Sequence, residues 1–343
     1  MMASIEPICG HNDRVRLKDV LPLKTPFTLN IFPTNACNFK CHYCAQVLGK
    51  KKLASEFNYN SSELMSISTF EKIIEQSKNF PQPYKLLSFM GHGEPLINKL
   101  LPKMIEMANY NNIAERIEII TNGSLLSHDL SDKLIDAGVS NIRVSIQGLN
   151  SNKYSLVAGV KVNFNQLIKN LEYFHKKGKK FNSHLFIKIM DCSLDLDEEK
   201  KFYELFDNIS TRMYIEQVKP VYAGVNIDGE QHNFLKTDRY GNTHAPRIVC
   251  PLPFFSMAVW PNGDIAPCDA IYKPALLGNI SETTLAQAFS NKTINLFRQE
   301  HLNGNKNTLN GCAKCCAPDD VSNEMDELDS ARKQLSALYS NFK

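Results

Sequence analysis

Between residues 27 and 220, short β-rich runs alternate with segments of helical periodicity, and that alternation leaves few architectures open to the chain. The strand-like runs fall at 27–32, 86–90, 116–120, 141–146, 185–190 and 213–218. Helical patterns lie between them near 68–79, 98–110, 129–137, 164–177 and 196–208. In the fourth of these helices, Phe164, Leu167, Ile168, Leu171 and Phe174 recur at helical spacing and predict a core-facing side. Strands separated by helices build parallel α/β structure, whose chemistry collects at the C-terminal strand ends. Periodicity alone does not separate an open doubly wound sheet from a partial barrel.

Outside that region the pattern changes. Residues 1–26 form a polar lead and 27–221 the α/β unit. Residues 222–249, with His232 and His244, read as a connecting segment or lid. A cysteine-bearing unit follows at 250–316, and 317–343 is a terminal segment. Within that segment, 321–341 predicts a polar helix with Met325, Leu328, Leu335 and Leu338 on one docking stripe. The balance of 39 Lys and Arg against 36 Asp and Glu gives +3. Lys50-Lys51-Lys52 and Lys176-Lys177-Gly178-Lys179-Lys180 read as solvated faces, so no nucleic-acid partner is expected. No signal-type apolar region and no run of membrane-spanning length occurs, so no membrane role is expected.

The ten cysteines are clustered. Three lie at Cys37, Cys41 and Cys44, and five at Cys250, Cys268, Cys312, Cys315 and Cys316, with Cys9 and Cys192 apart. Clusters of this kind in a large chain read as metal sites in a reducing compartment, which predicts an oxygen-sensitive cytoplasmic protein. Three thiolates on an iron–sulfur cube leave the fourth iron open to a small chelating molecule. A structural zinc knot needs a fourth ligand, and His42 sits inside the triad loop, poorly placed to be one. Downstream, Pro261-Asn262-Gly263 is a hairpin turn, so Cys250 and Cys268 flank a two-stranded unit. Cys312 and Cys315 complete a four-sulfur set that zinc or a cluster satisfies equally well by spacing.

The C-x3-C-x2-C triad, with Tyr43 before its last cysteine, resembles the radical S-adenosylmethionine (SAM) superfamily. The resemblance implies a (β/α)6 partial TIM barrel, a SAM-binding [4Fe–4S] cluster held by Cys37, Cys41 and Cys44, and cleavage of SAM to a 5'-deoxyadenosyl radical. Gly91-His92-Gly93-Glu94-Pro95 resembles the family's Gly-Gly-Glu-Pro strand end, with His92 inserted. By the same resemblance Tyr43, Asn122, Ser145 and Gln147 line the SAM site, although many relatives carry Asp where Gln147 stands. Alternation of Arg143, Ser145 and Gln147 with Ile142, Val144 and Ile146 puts the polar set on one face.

Residues 250–316, including Gly278-Asn279-Ile280-Ser281, resemble the SPASM and twitch auxiliary domains of that superfamily. The resemblance implies a second, auxiliary [4Fe–4S] cluster on Cys250, Cys268, Cys312 and Cys315, with Cys316 a spare thiol. The spacing is nearest to twitch-type enzymes that oxidise an aminocyclitol alcohol. A fully ligated cluster accepts or delivers one electron. The expected reaction is therefore dehydrogenation of a secondary alcohol in a sugar, cyclitol or nucleotide-like metabolite, with Arg143, Lys188 or a histidine as base. The alternatives are an epimerase of a carbohydrate or peptide, with Cys192 as hydrogen donor, and a peptide-modifying maturase. The short polar lead leaves little room for a leader-recognition domain, which counts against the maturase. A non-enzymatic iron–sulfur protein is the alternative of another class. Expected partners are a small polar metabolite or short peptide and a flavodoxin- or ferredoxin-type electron donor. Arg239, His244 and Arg247 are candidates for a phosphate or carboxylate of the substrate.

Overall fold

The computed structural model describes residues 3–7, 14–225, 227, 237–320 and 323–340; Cys9 and His232 lie outside them. Its strands in chain order are β1 (Ser4–Ile5), β2 (Thr28–Ile31), β3 (Leu86–Phe89), β4 (Ile117–Thr121) and β5 (Asn141–Ile146). Then come β6 (His184–Met190), β7 (Arg212–Glu216), β8 (Ser256–Val259), β9 (Asp264–Ala266) and β10 (Gly278–Asn279). Strands β2 to β7 pair in sequence order and all in parallel, as strand–helix alternation requires. Among the described residues the sheet does not close, and the fold is the α/β partial barrel.

Leu29, Leu87, Ile119, Val144 and Ile187 are fully buried between sheet and helices. Of the stripe its sequence spacing predicts, the helix Phe164–Gly178 buries Phe164, Leu167, Leu171 and Phe174 and packs Ile168 half-buried against the same core. The helix Ile67–Ser77 begins where the Ser66 hydroxyl accepts the Thr69 amide at 3.0 Å.

Sheet and cysteine-bearing unit are continuous. Strand β8 pairs in parallel with β2, from Thr28 opposite Ser256 to Ile31 opposite Val259. The hairpin β8–β9 then turns at Gly263, whose φ of 87° suits glycine. Trp260 beside this turn is fully buried against Phe32 and Tyr59.

The terminal segment departs from the expected helix over 321–341. It forms one-turn 3-10 pieces at Glu324–Asp326 and Asp329–Ala331, then a helix at Arg332–Ser340. Acidic and amide side chains compete with the helix for backbone donors. Asn323 accepts the Met325 amide and Glu327 that of Ser330, while Asp329 turns to the Ile248 and Val249 amides of the segment before Cys250. The apolar stripe still docks, with Leu328, Leu335 and Tyr339 packed on Leu17, Val249 and Phe254.

Candidate active site

The triad loop leaves β2 and is braced before it reaches the first cysteine. The Thr34 hydroxyl accepts the Ala36 amide at 2.9 Å, and the Asn35 carbonyl accepts the Tyr59 hydroxyl at 2.7 Å. Cys37, Cys41 and Cys44 then line one cleft with about 810 Å³ of empty volume, together with Gly91, His92, Gly93 and Glu94 from the end of β3. Burial pushes the Cys37 thiol up to about 12 and lifts Cys41 and Cys44 as well; Cys37 and Cys41 are raised further by the neighbouring thiols. Sulfurs so shielded, with Cys37 and Cys41 also opposed by neighbouring thiols, require a positive centre to become thiolates. An iron–sulfur cube supplies that charge, and three thiols with the Phe39 amide 3.4 Å from the Cys37 sulfur suit it.

Chain approach explains the glycines. A Cβ on Gly93 would lie 2.3 Å from the Thr34 carbonyl oxygen and 2.7 Å from that of Ala36, so β3 meets the triad loop backbone to backbone. Glu94 is buried with both oxygens engaged. Oε1 accepts the Leu96 amide at 3.0 Å and the Thr121 hydroxyl at 2.5 Å, and Oε2 accepts the Asn122 amide at 2.7 Å. Glu94 thus locks the end of β3 to the end of β4. Asn122 in turn donates to the Asn38 side chain at 2.9 Å, tying β4 to the triad loop, and Pro95 opens the short turn Pro95–Ile97.

The far wall of the cleft carries Ser145, Gln147 and Lys188, with Ser145 and Lys188 opposite one another in the β5–β6 register. Tyr43 donates its hydroxyl to Gln147 Oε1. Tyr43, Cys44, Lys188, Met190 and Tyr222 also line a second cavity of about 550 Å³ empty volume. That cavity continues to Glu216, Lys219, Arg239 and Asp320.

Buried charges are paired along it. Lys188 Nζ lies 2.5 Å from Glu216 Oε2, Arg239 bonds Asp320, and Arg239 Nη1 is 3.8 Å from Glu216 Oε1. Burial would raise the Glu216 carboxyl, but Lys188 and then Arg239 outweigh it and hold it below its usual range, so it is a carboxylate. Its Oε1, though buried, makes no hydrogen bond.

The second cysteine set closes on itself. Cys250, Cys268, Cys312 and Cys315 surround one cavity of about 350 Å³ empty volume, with Leu252, Tyr272 and Phe297 among its other lining residues. Burial pushes Cys312 up to about 12 and raises the other three. The Ala317 amide lies 3.4 Å from the Cys315 sulfur. Four converging thiols suit a fully ligated cluster. Cys316 does not line this cavity; its thiol, raised to about 12 by burial and then Asp320, feels Arg239 instead.

Several sequence expectations change here. Arg143 cannot serve as a base: Nη2 donates to Glu118 at 2.8 Å. Burial alone would lower its pKa, but Glu118 and other neighbouring groups raise it. Cys192 sits in the turn Asp191–Ser193 after β6, close enough to act electrostatically on Tyr43, but lines neither cavity. Burial and Asp191 push its thiol up to about 11. Arg247 and His244 turn away to Asp319 and Asn323, leaving Arg239 as the member of that trio at the cavity.

Glu216, Tyr222 and the role of His92 were not foreseen. His92 Nε2 is 2.9 Å from the Asp269 carbonyl and Nδ1 is 3.1 Å from the Tyr222 hydroxyl. Burial keeps this ring neutral, so Nε2 donates to the carbonyl and Nδ1 accepts the hydroxyl.

Comparison with known proteins agrees with this arrangement. A model of the radical SAM superfamily matches residues 31–195, and one of the SPASM iron–sulfur cluster-binding domain matches residues 250–316. The chain belongs to the radical SAM superfamily. The two matched regions contain the two cysteine sets, one for the SAM-binding [4Fe–4S] cluster and one for an auxiliary cluster.

GTP 3',8-cyclase of Staphylococcus haemolyticus is 27% identical over 190 residues, covering 52% of this chain and 54% of that protein. The chain thus spans about half the length of the curated relatives it matches. Among solved structures, Streptococcus suis SuiB bound to precursor peptide SuiA aligns with a TM-score of 0.60 at 17% identity, over 91% of this chain and 78% of that one. BtrN in complex with AdoMet and 2-DOIA aligns at 0.52 and 18% identity, over 85% and 91%. Both likenesses show the fold. The particular nearness to the aminocyclitol enzyme expected from cysteine spacing is not singled out by them.

Proposed function

We propose that this radical SAM enzyme takes a hydrogen atom from a carbon of a small polar substrate seated between its two cysteine sites. The observation that carries the reading is the shared wall of Tyr43, Cys44, Lys188, Met190 and Tyr222, which joins the triad cleft to the cavity ending at Asp320. Asp320 lies four residues beyond Cys316, so a substrate there has the triad on one side and the second cysteine unit on the other. When bound, the triad cluster and SAM supply a carbon-centred radical, and the auxiliary cluster a one-electron acceptor.

The protein's own groups orient the substrate. Glu216 Oε1 is a buried acceptor waiting for an N–H or O–H, and Lys188 and Arg239 hold that carboxylate ionised and aimed. Tyr43, fixed by Gln147, and Met190 close the apolar side and exclude water. Lys188, drawn below its ordinary pKa by burial despite Glu216, is held as that carboxylate's ammonium partner, so it orients the substrate by charge and is not the base expected of it.

A short peptide, modified or epimerised at one carbon, is the finer reading we favour. Its support is the alignment over 91% of the chain with a neighbour whose structure holds a precursor peptide, against 85% for the aminocyclitol enzyme. Secondary-alcohol dehydrogenation of a sugar, cyclitol or nucleotide-like metabolite is the second reading, supported by the four-thiol auxiliary site. The test is an anaerobic assay of reconstituted enzyme with deuterated short peptides and deuterated polyols, reading deuterium in 5'-deoxyadenosine. Transfer from a peptide carbon supports the first reading, and transfer from a carbinol carbon the second. Absence of transfer from both classes overturns the proposal.

A further inference from the structure

Two lining residues of the auxiliary cavity are neither thiols nor apolar: His301 and Lys306. His301 comes from the last turn of the helix Lys292–Leu302 and is 1% exposed. Phe297 holds its ring edge-on, with centroids 4.9 Å apart and planes at 69°. Its Nε2 lies 3.8 Å from the Cys312 sulfur, and its Nδ1 has no partner.

A thiol allows that contact to run in either direction, because S–H can donate to the ring. A metal-bound thiolate allows one. It has no proton to give, so Nε2 carries the hydrogen and donates to sulfur. Lys306, in the turn Lys306–Thr308, adds a positive charge whose field reaches Cys250, Cys312 and Cys315. The Asp269 carboxylate works against it at Cys268 and Cys315. Hydrogen bonds to ligand sulfur and nearby positive charge both stabilise the reduced, more negative state of a cluster.

We propose that His301 and Lys306 set the reduction potential of the auxiliary cluster, raising it so that the cluster accepts one electron from the substrate radical. In that transfer the radical is oxidised by one electron, the cluster is reduced by the same one, and the substrate releases a proton to solvent. The inference rests, for its purpose, on an oxidative outcome of the proposed function, which redox-neutral epimerisation would not draw on, but its test needs no substrate.

The full-length Cys37/Cys41/Cys44→Ala variant, reconstituted with iron and sulfide, leaves the auxiliary cluster as the species to titrate. Its midpoint potential is read by electron paramagnetic resonance with Lys306→Glu, His301→Phe or His301→Gln added. Lys306→Glu and His301→Phe are each expected to disfavour reduction about tenfold, 59 mV for a one-electron couple. His301→Gln, which keeps an N–H donor, stays within about threefold of the parent. Unmoved potentials in Lys306→Glu and His301→Phe overturn the proposal. Equal shifts in His301→Gln and His301→Phe overturn it for His301, because ring packing then matters and the donor does not. Loss of iron in His301→Phe likewise assigns that residue to holding the cluster together. Deuterium transfer is a separate readout, so failure of this inference and failure of the proposed function are told apart.

Discussion

The His92 ring donates through Nε2 to the backbone carbonyl of Asp269, 2.9 Å away, joining the SAM-motif strand end to the residue after Cys268. The same ring stacks on Trp260, with centroids 5.8 Å apart, and its backbone carbonyl accepts Gln46 Nε2 at 2.6 Å. The position that departs from the commonest family motif is thus the bolt between the two cysteine regions. His92→Phe keeps the stack and strands the Asp269 carbonyl and the Tyr222 hydroxyl. Stability to urea is expected to fall by about 1–3 kcal/mol. An unchanged midpoint with an unchanged m-value would remove the bolt from the account.

Iron and sulfide content separates the two cysteine sites. Wild-type protein reconstituted without oxygen is expected to hold about eight irons, and the Cys37/Cys41/Cys44→Ala variant about four. A variant holding one zinc and no iron would mean that the auxiliary site is structural.

Glu216→Gln tests the substrate anchor. Loss of a charged acceptor at a buried site corresponds to about 1.5–3 kcal/mol, roughly a tenfold to hundredfold rise in KM for deuterium transfer. Steady-state kinetics that show a lower kcat with KM unmoved would place Glu216 away from the bound substrate.

Cys192→Ala addresses epimerisation. If this thiol returns hydrogen to the substrate radical, the variant still forms 5'-deoxyadenosine but ceases to form product. Product made at the wild-type rate would restrict Cys192 to packing beside Tyr43.

The pH dependence of folding should show His175. Burial, then the charge of Lys179 and the nearby His184, lowers this histidine from 6.5 to about 4. The unfolded chain therefore binds a proton on it at a higher pH than the folded chain does. Stability rises with pH across that window, so it is fully present above about 6.5 and is lost as pH falls toward 4. His175→Leu should flatten this limb of a thermal-melt profile recorded from pH 7 to 4. A limb of unchanged slope would assign the acid sensitivity elsewhere.

Legibility followed the range of the interactions. The alternating runs gave the six parallel strands because each unit is local, and Gly91, Gly93, Ser145 and Gln147 could be placed toward the triad cleft because motif and period two are local too. Glu216 escaped notice because its meaning comes from Lys188 on the neighbouring strand and Arg239 beyond it, pairings that no spacing encodes. Arg143 misled for the same reason. Its inward position was legible but its partner Glu118, on β4, was not. The terminal helix failed where Asn323 and Glu327 took backbone donors from it and Asp329 turned to the amides of Ile248 and Val249, a competition that an apolar stripe does not register.

The pairing of β8 with β2 makes the barrel a poor candidate for independent life. Without residues 250 onward, the strand that carries the triad loop would present a bare row of amides and carbonyls to any other chain. The auxiliary region, besides holding the second cysteine set, is therefore the seam that covers this edge of the sheet. Because that seam is a backbone ladder, the two cysteine sites are registered against one another by main-chain hydrogen bonds, from Thr28 opposite Ser256 to Ile31 opposite Val259.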